Sequence, residues 1–124
     1  MRRVATKPGK AAGPYCPDAG DIVWLDFSPI LGHEQNGRRP ALVLSPRVYN
    51  EARRMCLACP ITSRIRDWPF EVVLPEGCDI RGAVIADQIR NLSWTGRGAT
   101  FACKAGDAVL ADVRARLKSV AGIA

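Results

Sequence analysis

Residues 40–62 read PALVLSPRVYNEARRMCLACPIT, and the fold follows from how this stretch divides. Pro40–Ser45 is a short apolar strand that Pro46 breaks. Met55–Thr62 has the apolar density of a central strand. Between them, Val48–Arg54 is one helical turn or an irregular connection. If the two strands pair antiparallel, the start of one lies near the end of the other, and Arg39 comes close to Thr62.

Working outward, Asp21–Phe27 (DIVWLDF) is a strand with Ile22, Trp24 and Asp26 on one face and Val23, Leu25 and Phe27 on the other. Ser28–Arg38 is polar and reads as a long loop, the kind of connection that in a small domain is often functional. Downstream, Ser63–Trp68 is a second polar, basic loop, Phe70–Leu74 a strand, Pro75–Asp79 a turn and Gly82–Asp87 a strand. Gln88–Ser93 carries polar groups, and Gly98–Cys103 is a weak final strand. Asp107–Ala121 is the one clear helix: Val109, Leu110, Val113, Leu117 and Val120 recur at helical spacing, and Arg114, Arg116 and Lys118 sit near its C-terminal end. Many short strands followed by one helix predict an α+β, mainly β domain, a small and strongly bent antiparallel sheet or barrel with the helix as its lid.

The 124 residues suit one domain. Residues 1–17, basic and without periodicity, read as a flexible leader, and 18–124 as the single folded domain. No apolar core follows the basic N-terminus, so it is not a secretory signal, and no stretch is apolar enough to span a bilayer; the expected location is cytoplasmic. Eighteen Lys and Arg against 12 Asp and Glu give a net charge of +6, which suits a polyanion or an acidic protein partner and equally a merely solvated surface. Five cysteines, an odd number, argue against a disulfide framework. Cys56 and Cys59 form a CxxC, but residues three apart on a strand face opposite ways, so this pair is read as buried thiols rather than a metal or redox site.

Four blocks carry a resemblance: Gly20-Asp21-Ile22-Val23-Trp24; Gly32-x-Glu34-Gln35-x-Gly37-x-Arg39-Pro40; Pro60-Ile61-Thr62-Ser63; and Ala86-Asp87-Gln88-Ile89-Arg90. In this order and spacing the chain, over roughly residues 15–122, resembles the MazF/PemK toxins of type II toxin–antitoxin systems. The resemblance implies a curved sheet or SH3-like barrel (CcdB/MazF-like), a homodimer, and ribosome-independent, sequence-specific cleavage of single-stranded RNA. It implies no metal and no cofactor. It also implies inhibition by a cognate antitoxin that lays an acidic, partly disordered segment over the basic groove.

The family's catalytic Arg and Thr carry over onto Arg39 and Thr62, with Glu34 placed to orient Arg39 or approach the 2′-hydroxyl. The reaction is attack of a ribose 2′-hydroxyl on the adjacent phosphate, leaving a 2′,3′-cyclic phosphate and a 5′-hydroxyl. A guanidinium grips two phosphate oxygens but is a poor proton shuttle, so Arg39 is assigned to transition-state charge and Thr62 to a hydroxyl hydrogen bond. Read without the resemblance, Arg39 is a surface ion-pair partner of Glu34 and Thr62 a strand end. Phe27, His33, Gln35, Arg38, Ser63, Arg64 and Gln88 are the candidate RNA contacts, with Arg66 a further phosphate candidate. His33, the only histidine, departs from the family pattern of a small polar residue; an exposed loop histidine and a proton-transfer group are both open readings. Trp24, Trp68 and Trp94 are expected in packing or at the dimer interface. The alternative from another class is a non-catalytic CcdB-like toxin that binds and poisons DNA gyrase, which has no need of the Arg39–Thr62 pair.

Overall fold

The computed structural model describes residues 15–28 and 37–123. Among them, strands β1 (Asp21–Asp26), β2 (Arg38–Val43), β3 (Met55–Thr62), β4 (Glu71–Val73), β5 (Ala83–Ile85), β6 (Arg90–Ser93) and β7 (Thr100–Lys104) build one antiparallel sheet, with helix α1 (Arg47–Arg53) between β2 and β3 and helix α2 (Asp107–Ala121) after β7. The order is β4-β5-β3-β2-β1-β7, and β6 also pairs with β3. β3 shares one edge between two partners. Its first half, Met55–Ala58, pairs with β6, and its last two residues, Ile61 and Thr62, pair with β5.

Alternation along the strands sorts the core onto two faces. Ile22, Leu42, Cys59, Ile61 and Val84 form one cluster, which α2 covers with Val109 and Val113. Val23, Leu25, Ala41, Val43, Cys56, Ala58, Leu92 and Trp94 form the other. The CxxC thiols therefore sit on opposite faces, as two residues three apart on a strand must. Each is buried, and burial pushes each up to about 12. The expected helical stripe holds except at Val120, which stays half exposed at the end of α2. Gly122 closes that helix in the left-handed conformation, where its N–H and that of Ile123 reach back to Ser119 and Lys118.

Three expectations change. Tyr15, Cys16 and Pro17, read as the end of a flexible leader, are packed: the Tyr15 hydroxyl donates to Asp21 at 2.7 Å, and the Pro17 carbonyl accepts from buried Asn50 at 2.8 Å. The strand read as Gly82–Asp87 ends at Ile85, and a single 3-10 turn, Ala86–Gln88, steps the chain along β3 into β6. That strand was hidden because Arg90 and Asn91 point to solvent and only Leu92 is buried. Finally, Cys78 and Cys103 are disulfide-bonded, Cα to Cα 6.2 Å, although the odd cysteine count argued against bridges. The bond joins the turn after β4 to β7, at opposite ends of the strand order.

No helix among the described residues is long and apolar enough to cross a membrane.

Candidate active site

The pairing that the sequence only permitted is present. Ala41, Leu42 and Val43 of β2 face Pro60, Cys59 and Ala58 of β3. Continuing that register by two residues sets Arg39 across from Thr62, where facing Cα atoms stand roughly 4.5–5.5 Å apart. β2 begins at Arg38, two residues earlier than the sequence suggested, so Arg39 is carried by a strand rather than by the loop before it. Both residues line a cavity of about 420 Å³. Trp24 and Pro40 complete its first wall, Ile61 and Ser63 stand with Thr62 on the second, and Asp79, Ile80 and Arg81 form a third.

A hydrogen bond prepares Thr62, and a ring contact accompanies Arg39. The Arg64 backbone N–H donates to Thr62 Oγ1 at 3.1 Å. That bond occupies a lone pair and leaves the hydroxyl proton available to an oxygen in the cavity. Arg39 is exposed, and among the described residues its guanidinium has no hydrogen bond or ion pair; it stands 5.9 Å from the centroid of the Phe27 ring. Arg90 approaches the same ring at 5.7 Å. Phe27 is thus bracketed by two cations, and the three side chains offer a stacking surface flanked by positive charge.

Residues 26–28 and 37, on either side of 29–36, are pinned to one another. Phe27 N–H donates to the Gly37 carbonyl at 2.8 Å, and Asp26 Oδ1 accepts from Ser28 N–H at 2.8 Å. The Ser28 N–H, together with the Arg97 and Arg38 cations, holds the Asp26 carboxyl below its usual range. Gly37 lies against this arrangement so closely that a Cβ there would overlap Ser28 Oγ and Asp26 Oδ1. Arg97 adds donors to the Asp26 and Ser28 carbonyls, at 3.1 and 2.6 Å. The second loop is organised by buried Glu71, whose Oε1 accepts from Arg66 N–H at 2.9 Å and Asp67 N–H at 3.0 Å.

The expected contacts divide accordingly. Arg39, Thr62 and Ser63 share the cavity, Phe27 is tied to it through Arg39, and Arg64 and Gln88 are exposed. Arg38 is placed elsewhere: half-buried, it donates to the carbonyls of Gly98 at 2.8 Å and Trp24 at 3.3 Å, and so ties β2 to the segment before β7. Arg66 lies over the Trp68 ring, 4.9 Å from its centroid. Trp94 packs in the core with its indole N–H donating to Asn50 O at 2.9 Å, Trp24 packs against the other core cluster and also lines the cavity, and Trp68 is exposed. Glu34, His33 and Gln35 lie outside the described residues. Arg90, Asp79 and Arg81 were missed. Arg90 stood in the motif Ala86–Arg90 but was not singled out, and nothing in the sequence of a Gly/Pro turn marks Asp79 or Arg81 as facing a cavity.

A small basic domain whose adjacent strands present an arginine and a hydroxyl donor to one cleft, beside an aromatic ring, defines a class of protein suited to gripping a phosphodiester. Over residues 18–121 the chain matches the family described as PemK-like, MazF-like toxin of type II toxin-antitoxin system. The chain belongs to this family. It is 50% identical over 86 residues to the endoribonuclease toxin MazF of Escherichia coli K12, covering 69% of this chain and 77% of that protein. It is 37% identical over 109 residues to the endoribonuclease toxin ChpB of the same organism, covering 83% and 92%. Among solved structures, MazF of Deinococcus radiodurans superposes with a TM-score of 0.82 at 51% identity, over 89% of this chain and all of that one. The MazF chain in a MazE–MazF complex of that organism gives 0.80 at 46% identity, covering 90% and 100%.

Proposed function

We propose that this protein is the toxin of a type II toxin–antitoxin pair, a ribosome-independent, sequence-specific endoribonuclease acting on single-stranded RNA in the cytoplasm. The observation that carries this reading is the placement of Arg39 across from Thr62 on β2 and β3, both lining one cavity, in a chain whose relatives are endoribonucleases. In the proposed reaction the ribose 2′-oxygen attacks the adjacent phosphorus and the bond from phosphorus to the 5′-oxygen breaks. The products are a 2′,3′-cyclic phosphate and a 5′-hydroxyl. Arg39 neutralises the charge added to the non-bridging oxygens, and the Thr62 hydroxyl donates to one of them. Glu34 is the carboxylate proposed to receive the 2′-hydroxyl proton or to orient Arg39. Phe27, between Arg39 and Arg90, is the proposed base-stacking surface, and Ser63, Arg64, Gln88, Gln35 and His33 are the further contacts. Arg38 is left out of this set because its two terminal nitrogens are engaged by carbonyl oxygens.

We further infer a homodimer held in check by an antitoxin with an acidic, partly disordered segment. The excess of six positive charges favours such a partner and RNA alike. The test is cleavage of single-stranded RNA by the purified protein in EDTA. Wild type is expected to cut, and Arg39→Ala and Thr62→Ala to lose cutting. Activity that disappears on chelation contradicts the metal-independent chemistry.

A further inference from the structure

The third wall of the cavity has no role in the reaction above, and the way it is held is unusual. Asp79 and Arg81 are exposed and flank Ile80, which is buried in the core cluster under α2. Neither charged side chain has a hydrogen bond or ion pair among the described residues. The segment is anchored at three points. Leu74 N–H donates to Gly82 O at 2.9 Å and closes the turn at its base, Ile80 enters the core, and Cys78 is bonded to Cys103. Cys103 is fixed in β7, where it pairs with Ile22 of β1 next to a bulge that sets Phe101, rather than Ala102, opposite Val23. The residue directly before the wall is therefore tied covalently to the far end of the strand order. Arg39, by contrast, is held by its pairing with Leu25 in β1, and Thr62 by its pairing with Ala83 of β5, and neither residue is bonded to Cys78 or Cys103.

We propose that the Cys78–Cys103 disulfide positions Asp79–Arg81 as a third, RNA-gripping wall of the site. Breaking the bond then weakens binding of RNA while leaving the Arg39–Thr62 chemistry in place. This rests on the ribonuclease reading. Within the wall, Arg81 suits a phosphate neighbouring the scissile one. Asp79, repelled by phosphate, suits the exocyclic amine of a base. Cys78 and Cys103 are positioning residues, since they act through the wall and touch no substrate. Reduction by a dithiol transfers two electrons and two protons: the S–S bond breaks, two thiols form on the protein, and the reagent closes to its own disulfide. Cys56 and Cys59, buried with thiols pushed up to about 12, do not take part. In a reducing compartment the setting of this wall follows the thiol poise.

The experiment measures kcat and KM on a single-stranded RNA for the whole protein, oxidised and dithiol-reduced, and for Cys78→Ser/Cys103→Ser and Arg81→Ala. Loss of one positioned phosphate contact corresponds to a rise in KM of about tenfold. Reduction, the double serine variant and Arg81→Ala are each expected to raise KM by about 3- to 10-fold and to change kcat less than about twofold. Reduction of the Arg81→Ala protein should add little further, because the contact is already gone. Arg81 is exposed and its side chain has no hydrogen bond or ion pair among the described residues, so Arg81→Ala is expected to fold and a folding failure of the serine variant does not blunt the test. Equal KM in oxidised and reduced protein, or a fall confined to kcat, overturns the proposal. If the oxidised protein cuts no RNA, the ribonuclease reading fails by itself. The wall is then read by the Kd for a 2′-deoxy analogue of the same oligonucleotide, where equal affinity in both redox forms overturns the inference.

Discussion

Substituting Gly82 by alanine should damage the site through the backbone of Thr62. Gly82 sits at φ +129°, a region that costs a side-chain-bearing residue about 1–3 kcal/mol. A Cβ there would lie 2.9 Å from the Thr62 carbonyl carbon and 3.2 Å from Ser63 Cα, and it would overlap the Thr62 carbonyl oxygen. Relief requires β3 to retreat at Thr62 by about an ångström, a displacement that costs a catalytic group on the order of 10²-fold. Gly77 supplies the control. It has φ +124°, nearly the same backbone demand, but nothing lies within 4 Å of its would-be Cβ. The assay is kcat on single-stranded RNA together with urea unfolding of both variants. Gly82→Ala should lose about 100-fold in kcat, and both variants should lose about 1–3 kcal/mol through the backbone. A Gly82→Ala protein with kcat near wild type, or an equal loss of kcat in Gly77→Ala, would refute the claim that the close approach of Gly82, just before β5, positions Thr62.

Arg39→Lys keeps the charge but loses the planar fork, and should retain only a small part of kcat; Arg39→Ala should lose about 10²–10³-fold, measured by single-turnover cleavage. Thr62→Ser keeps both the acceptor for Arg64 N–H and the donor, so it should stay active, whereas Thr62→Val should not. Arg38→Ala should act on stability rather than on chemistry: it removes the donor to the half-buried Trp24 carbonyl and the tie to the exposed Gly98 carbonyl, and should cost about 1 kcal/mol in urea unfolding, with kcat little changed in the folded fraction. The Asp26 carboxyl is depressed, first by Ser28 N–H, so its stabilisation is present above the ordinary value of 3.8 and is lost as pH falls through the lower folded value. The stability gap between wild type and Asp26→Asn should therefore narrow below about pH 4, followed by unfolding at fixed pH steps. A gap unchanged down to pH 3 contradicts that assignment.

What could be read without coordinates was whatever periodicity controls. The bounds of Met55–Thr62 and Asp107–Ala121 followed from apolar density and helical spacing, and alternation alone separated Cys56 from Cys59. The Arg39–Thr62 partnership was legible because an antiparallel pair leaves few registers open. Three features were not legible, for separate reasons. β6 is mostly polar, since its exposed residues need no apolar signal. The disulfide joins residues that only the curvature of the sheet brings together, and counting cysteines gives no distances. The fate of Arg38 turned on where the carbonyls of residues 97 and 98 fall, and adjacent arginines on one strand point to opposite faces. The same alternation that sets Arg39 beside the Phe27 ring sends Arg38 to the opposite face.

The central claim is that Arg39 and Thr62 promote attack by a ribose 2′-hydroxyl. It is tested most directly by the end groups of the cleaved RNA, read by mass spectrometry of a short oligonucleotide cut in EDTA. The account predicts a 2′,3′-cyclic phosphate on one product and a 5′-hydroxyl on the other, and no cut where the ribose at the cleavage point is replaced by 2′-deoxyribose. A 5′-phosphate with a 3′-hydroxyl, or cleavage of the 2′-deoxy substrate, would contradict it.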